Sequence, residues 1–482
     1  MTGDGLSSGA ELGPAQRAAA WERLGSEEFD VVVIGAGVVG AGAALDAVTR
    51  GLSVALVEAR DIASGTSSRS SKLFHGGLRY LEMFEFGLVR EALRERELML
   101  TKVCPHLAKP VSFLYPLSKH VIERPYVGSG LILYDTMGGA RSVPRHRHLT
   151  RAGALRLVPG LRKDALVGGI RYYDGQVDDA RHTLAVARTA AAYGAVVRPS
   201  TQVVSFVKEA DRVAGVRVRD VENGQETTVR AKVVINSTGV WTDELQRLSG
   251  GRGRFKVRAS KGVHLVVARD KIASESGIIL KTEKSVLFVI PWKNHWIIGT
   301  TDTDWDLDLA HPAATKADID YILEHVNSVL AVPVTHDDIE GVYAGLRPLL
   351  AGRASSPPSC PASTRSPGCR RVWSASPAAS TRRTGSWAPT RSTPPRRTCR
   401  AGSTRPAPRT CRCWARRATR HWSTRPTGWA PSTASTPTAS GTCWTGTARR
   451  STRCCGRRSR TGSCCSRCPG PPTTCRPRRC SR

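Results

Sequence analysis

Phe29-Asp-Val-Val-Val-Ile34 runs directly into Gly35-Ala-Gly37-Val-Val-Gly40, and this junction decides the fold. A short apolar run that stops at three spaced glycines predicts a buried strand, a tight turn and the first turn of a helix. Residues 41–50 have helical composition, and Ser53–Val57 reads as a second apolar strand closed by Glu58, 21 positions after Gly37. Each glycine has a separate task. Gly35 allows the tight turn, Gly37 lets a pyrophosphate approach the backbone, and Gly40 lets helix and strand pack closely. The helix N-terminus then faces the phosphate charge, and Glu58 is placed to accept hydrogen bonds from a ribose diol. The unit predicts a dinucleotide site and does not by itself distinguish FAD from NAD.

The formal charge of +32 suggests nucleic acid or an anionic surface only if it is taken as one number. Residues 353–482 hold 28 arginines and no acid, so the first 352 residues carry 44 basic against 40 acidic side chains, a net of +4. Cysteine divides the same way, with Cys104 alone upstream and 13 cysteines after residue 352. Those 13 lack the paired spacing of a structural zinc site, and no metal ligand set is expected. The upstream part has the cysteine usage of a reducing, cytoplasmic compartment. No apolar h-region marks a signal peptide in residues 1–28, and no apolar run reaches the roughly 18 residues of a membrane span. Peripheral membrane association stays open.

After the first unit comes a hydroxyl-rich stretch, Ala63-Ser-Gly-Thr-Ser-Ser-Arg-Ser-Ser-Lys72. Ser64, Thr66, Ser70, Ser71 and Lys72 there suit a loop that donates hydrogen bonds to phosphate or a flavin ring; the plain alternative is a polar surface loop. Leu73-Phe-His75-Gly-Gly-Leu-Arg79-Tyr80-Leu-Glu82 follows, then a helical pattern from Phe84 to Leu100. Cys104 reads as a buried small hydrophobe. Ile170 to Asp179 reads as a strand-to-turn segment, residues 180–193 as a helix, and Val233-Val-Ile235 as a buried strand ending in Asn236-Ser-Thr-Gly239. That glycine turn sits where doubly wound sheets bind cofactors. A β-rich part carries Ser260-Lys-Gly-Val-His264 and Gly299-Thr-Thr-Asp302, and Gly345-Leu-Arg347-Pro closes the ordinary sequence. Taken alone, His264 is as readily a packed histidine, and Arg347 a surface ion-pair partner.

Together, Gly35-x-Gly37-x-x-Gly40, Ser70-Ser-Lys-Leu-Phe-His-Gly-Gly-Leu-Arg-Tyr-Leu-Glu82, Asn236-Ser-Thr-Gly239, Gly299-Thr-Thr-Asp302 and Gly345-Leu-Arg-Pro348 resemble the FAD-dependent, respiratory glycerol-3-phosphate dehydrogenases. The resemblance covers about residues 28–352, and its specific part is Lys72–Glu82. It implies FAD as cofactor, oxidation of sn-glycerol 3-phosphate to dihydroxyacetone phosphate, and electrons passed to a quinone at the inner face of the plasma membrane. Arg79, Tyr80, His264 and Arg347 would line the substrate pocket. The chemistry is coherent: guanidinium forks grip a phosphomonoester, and His264 takes the C2 hydroxyl proton while Tyr80 orients that hydroxyl. Gly35, Gly37, Gly40, Glu58, Ser64, Thr66, Ser70, Ser71, Lys72 and Gly239 would hold the cofactor.

The implied architecture is α/β: a Rossmann-like FAD-binding domain of the glutathione-reductase type, interleaved with an α+β substrate domain. Residues 1–28 are expected as a flexible segment, 29–80 and 180–245 as the FAD-binding domain, and 81–179 and 246–352 mainly as the substrate domain. Residues 353–482 lack Lys, Asp, Glu, Leu, Ile, Phe, Tyr, Met, Asn and Gln, a composition expected of a GC-rich gene read out of frame and of a non-native, disordered tail. With codons chosen for Pro377–Thr398, a shifted frame yields Gly-Gly-Lys-Tyr-Thr-Thr-Tyr-Arg, similar to a late motif of the same family. A frame break near residue 352 would replace the rest of the FAD domain and a C-terminal helical domain. An FAD-dependent amine or 2-hydroxyacid oxidase is the alternative enzyme; a cationic tail binding nucleic acid or membrane is the alternative of another class. Nucleic acid is not the expected partner.

Overall fold

In the computed structural model the described residues are 10–77, 79–82, 84–118, 122–137, 142–210, 212–250, 256–283, 286–351 and 373–375. Two sheets organise them. The first runs in the order Val196–Arg198, Val54–Val57, Glu28–Ile34, Glu226–Asn236, Arg212–Asp220, Thr201–Glu209. Its central strands are parallel: Val31–Ile34 pair with Val54–Val57 on one side and with Val233–Asn236 on the other. Val31, Val32 and Val33 are buried because both faces of this strand are covered.

Small residues set the spacing on one face. The helix Val38–Thr49 buries Gly40, Ala41, Gly42, Ala43 and Ala44, so its axis lies close to the sheet. Ala187, Ala190 and Ala191 of the helix Asp179–Ala192 pack beside it in the same core. The other face is covered differently from expectation. The N-terminal segment expected to be flexible contains the helix Pro14–Ser26, whose Ala20 and Leu24 enter the core under Phe29, Val32 and Val234. Full burial of a leucine is worth about 2 kcal/mol, and Arg17 adds an ion pair to Asp220 at 2.9 Å. An alanine-rich stretch shows little periodicity in sequence, yet Ala20 and Leu24, with half-buried Trp21 packed beside them, dock it.

The second, mostly antiparallel sheet has the order Thr303–Trp305, Lys256–Ala268, His295–Gly299, Val286–Trp292, Gly277–Lys281, Ala108–Leu117, Gly168–Val177, Leu73–Phe74. The strand Ile339–Ala351 lies along the free side of Lys256–Ala268. Leu73–Phe74 thus pairs in this sheet, which corrects the expectation that residues 29–80 belong as a block to the FAD-binding domain. Chain crossing between the sheets therefore begins at the hydroxyl-rich loop. Cys104 is fully buried beside Met99, as its reading as a hydrophobe requires. Of the tail expected to be disordered, Trp373–Ala375 forms a parallel strand on Val234–Asn236; its remaining residues lie outside the described residues.

Candidate active site

The dinucleotide turn is built as its glycines demand. Gly35 has φ +100°, and a Cβ on it would lie 2.7 Å from the Ser237 carbonyl, so the turn packs directly against the Asn236–Gly239 segment. A Cβ on Gly40 would collide with the Gly35 carbonyl, which leaves glycine as the residue that fits. Gly239 has φ +60° and turns the chain out of its strand. Glu58 accepts Ala36 N–H at 2.8 Å and Arg60 N–H at 2.9 Å, and burial pushes its carboxyl above the ordinary value. A carboxylate with two such bonds keeps lone pairs for a ribose diol. Ser67, which the sequence reading passed over within the hydroxyl-rich stretch, accepts Val38 N–H at 2.9 Å at the helix N-terminus. Gly37 is open except for this hydroxyl, 3.1 Å from where its Cβ would be. Open backbone at a helix N-terminus, a glycine-only crossing and a carboxylate one strand away fit the pyrophosphate and ribose of FAD.

Gly65 to Lys72 bridges this turn to the second sheet. Thr66 donates its hydroxyl to the Leu346 carbonyl at 2.7 Å. Ser70 donates through both its amide (3.0 Å) and its hydroxyl (2.6 Å) to Asp179 Oδ2. Lys72, with φ +56°, donates Nζ to Asp179 Oδ1 at 2.6 Å. Asp179 is almost fully buried at the start of its helix and was missed as a site residue; a second acid after Asp178 at a strand end was its only signal. Ser64 stands apart, closing the turn from Asp61 with its amide.

On the second sheet, register brings the substrate residues together. Ser260, Gly262 and His264 stand opposite Arg347, Gly345 and Tyr343. Alternation places all six on one face. Arg347 donates Nη1 to the Thr301 carbonyl at 3.2 Å and Nη2 to Thr300 Oγ1 at 3.1 Å, and pairs with Asp302 at 3.3 Å. Asp302 also accepts the Ser260 hydroxyl. His264 is buried, its Nε2 is 2.9 Å from Ser71 Oγ, and its Nδ1 has no hydrogen-bond partner among the described residues. Burial first, then the charges of Arg347 and Lys72, lower its pKa to about 3, so the imidazole is neutral. Tyr343, also missed from sequence, stacks on it with ring centroids 4.7 Å apart and planes 11° apart.

His264, Arg347, Ser70, Ser71 and Lys72 therefore meet, and Thr66 ties their loop to the same strand. Tyr80 lies in the short helix Arg79–Glu82 and packs on the core cluster that also receives Tyr343. The backbone of Arg79 opens that helix; its side chain lies outside the described residues. Gly76, just before it, donates its amide to Tyr134 Oη at 2.8 Å, and Tyr134 donates to Asp174 at 2.7 Å.

The chain is 73% identical over 343 residues to a glycerol-3-phosphate dehydrogenase of Mycobacterium leprae, covering 71% of this chain and 59% of that protein. It is 41% identical over 360 residues to the human mitochondrial glycerol-3-phosphate dehydrogenase, covering 71% of this chain and 49% of the relative. The chain thus spans about half to three-fifths of the length of these curated relatives. Among solved structures, the glycerol-3-phosphate dehydrogenase of Bacillus halodurans complexed with FAD matches with a TM-score of 0.58 and 34% identity, over 70% of this chain and 60% of that one. A family model described as FAD dependent oxidoreductase matches residues 30–378. With the dinucleotide turn and both sheets in place, the chain belongs to the FAD-dependent oxidoreductase family.

Proposed function

We propose that the encoded activity is oxidation of sn-glycerol 3-phosphate to dihydroxyacetone phosphate, with electrons passed onward to a membrane quinone. The observation that carries this reading is the approach of Arg347 to His264 across one sheet face, beside the loop that joins the dinucleotide turn. FAD, when bound, supplies the acceptor for the hydride from C2. Gly35, Gly37, Gly40, Glu58, Ser67 and Gly239 hold its nucleotide part with Ser64 at the edge of that turn, and Thr66, Ser70, Ser71 and Lys72 continue the cofactor wall toward the substrate residues. Arg347 grips the phosphate through a guanidinium already oriented by Thr300, Thr301 and Asp302. Arg79 supplies the second fork, and Tyr80 orients the C2 hydroxyl. His264, neutral and held at Nε2, takes the hydroxyl proton. Burial is the first cause of the low His264 value; a phosphate dianion on Arg347 offsets the second, the guanidinium charge, and so raises the basicity of the imidazole as substrate arrives.

The composition after residue 352 supports an out-of-frame tail, and we infer that this polypeptide turns over slowly if at all. DNA sequence across codons 345–360 decides the frame. Among the described residues no helix is long and apolar enough to cross a membrane. The activity is tested on a flavin-loaded, frame-restored chain by dye reduction with sn-glycerol 3-phosphate, amino acids and 2-hydroxyacids. Reduction by the phosphorylated polyol alone is expected; reduction by an amine or a 2-hydroxyacid in its place would replace the proposed substrate.

A further inference from the structure

Two contacts of Tyr343 converge on one histidine. Its ring lies flat on the His264 imidazole, 4.7 Å between centroids and 11° between planes. Its hydroxyl donates to the Ser70 carbonyl at 2.9 Å, and the next residue, Ser71, carries the hydroxyl that meets His264 Nε2 at 2.9 Å. Asp179 already holds this segment on either side of Ser71, through Ser70 and through Lys72. The peptide between Ser70 and Ser71 is the part left to be fixed, and Tyr343 takes hold of its carbonyl.

We propose that Tyr343 is a positioning residue for His264: the ring restrains the imidazole plane, and the hydroxyl restrains the Ser70–Ser71 peptide so that Ser71 stays on Nε2. This rests on the reading of His264 as the group that takes the substrate proton. A half-turn of the imidazole would exchange its nitrogen and carbon edges and remove the basic atom from the reacting hydroxyl. Stacking against Tyr343 on one face opposes that turn. The Cδ2 edge is confined as well: a Cβ on Gly299 would lie 2.6 Å from it. Lys72 and Arg347 are the charged groups facing the ring, and neither accepts a hydrogen bond, so geometry rather than a carboxylate partner selects the tautomer.

The test uses the full chain with histidine ring nitrogens labelled with nitrogen-15, the His264 signal being identified by its loss in His264→Gln. A single neutral tautomer is expected in the parent. Tyr343→Phe keeps the stacking and removes the hydroxyl; the His264 signal should then shift toward a mixture of tautomers. In flavin-loaded, frame-restored protein kcat should fall about tenfold with KM within about twofold, the signature of lost orientation rather than lost binding. Ser71→Ala should produce the same nuclear signature, and the double variant should turn over within about twofold of Ser71→Ala alone, since both changes remove one contact. An unchanged His264 signal in Tyr343→Phe, or fully multiplicative losses in the double variant, overturns the proposal. If His264→Gln keeps its turnover while Tyr343→Phe still moves the His264 signal, the positioning stands and the role of His264 as base falls.

Discussion

The guanidinium of Arg347 occupies the space that a side chain at Gly262 would fill. A Cβ on Gly262 would lie 2.8 Å from Arg347 Nη2, 3.1 Å from its Cζ and 2.5 Å from Thr300 Oγ1. Gly262 stands two residues before His264 on the same face of the sheet, so its missing side chain lets the arginine extend along that face toward the histidine.

Gly262→Ala is therefore expected to displace Arg347 while sparing the fold, because the atoms it meets are the ends of side chains. In a flavin-loaded, frame-restored chain, KM for sn-glycerol 3-phosphate should rise about tenfold or more. The melting temperature should fall by no more than about 4 °C. An unchanged KM would argue against Arg347 as the phosphate grip.

Asp179→Asn should destabilise the protein by about 2–3 kcal/mol, read from the urea midpoint. The carboxylate is buried and accepts from Lys72, Ser70 and its own helix at Ala180, and its loss leaves the Lys72 ammonium without its ion-pair partner in a mostly buried position. A midpoint equal to the parent's would show that the cluster adds nothing to stability.

Tyr134→Phe removes the hydroxyl between the Gly76 amide and Asp174, a carboxylate that Arg96 also holds at 2.6 Å. All three side chains are buried, so the amide is left with no replacement, and a loss of about 1–2 kcal/mol in denaturant unfolding is expected. If the loop carrying Arg79 and Tyr80 depends on this amide, protease cleavage near Gly77 should also quicken; equal cleavage of both proteins would separate the loop from the network.

Acid should weaken the fold through two histidines. Burial, with His106 adding to it, lowers His182 to about 4, and burial with Arg347 and Lys72 lowers His264 to about 3. The unfolded chain takes up protons near the ordinary value of 6.5, whereas the folded chain does so only near these lowered values. Stability is thus complete above 6.5 and is lost as pH falls toward 4 and then 3. The urea midpoint should drop over that range, and His182→Gln should flatten its upper part; identical slopes would remove His182 from the account.

The dinucleotide turn was legible because its constraints are local. Gly35, Gly37 and Gly40 answer to backbone geometry over a few residues, and Glu58 follows on the next strand. Motif resemblance also placed His264 and Arg347, but only as members of a set. Asp179 and Tyr343 left almost no trace, since their partners lie 107 and 273 residues away along the chain. The helix Pro14–Ser26 departs from the expected flexible segment for a related reason: Ala20, Leu24 and half-buried Trp21 make a weak pattern in sequence, and their partners lie on strands far along the chain.

By itself the sequence determined the strand–turn–helix at Gly35–Gly40, the family, and the break in composition after residue 352, because each depends on neighbouring residues or on residue content. Tertiary structure alone decided that Gly262 makes room for Arg347, that Tyr343 covers His264, and that Asp179 gathers Ser70 and Lys72. Those relations come from strand register and from two sheets meeting at one loop; a one-residue slip between the strands that carry His264 and Arg347 would put Gly262 and His264 on the face opposite Tyr343 and Arg347.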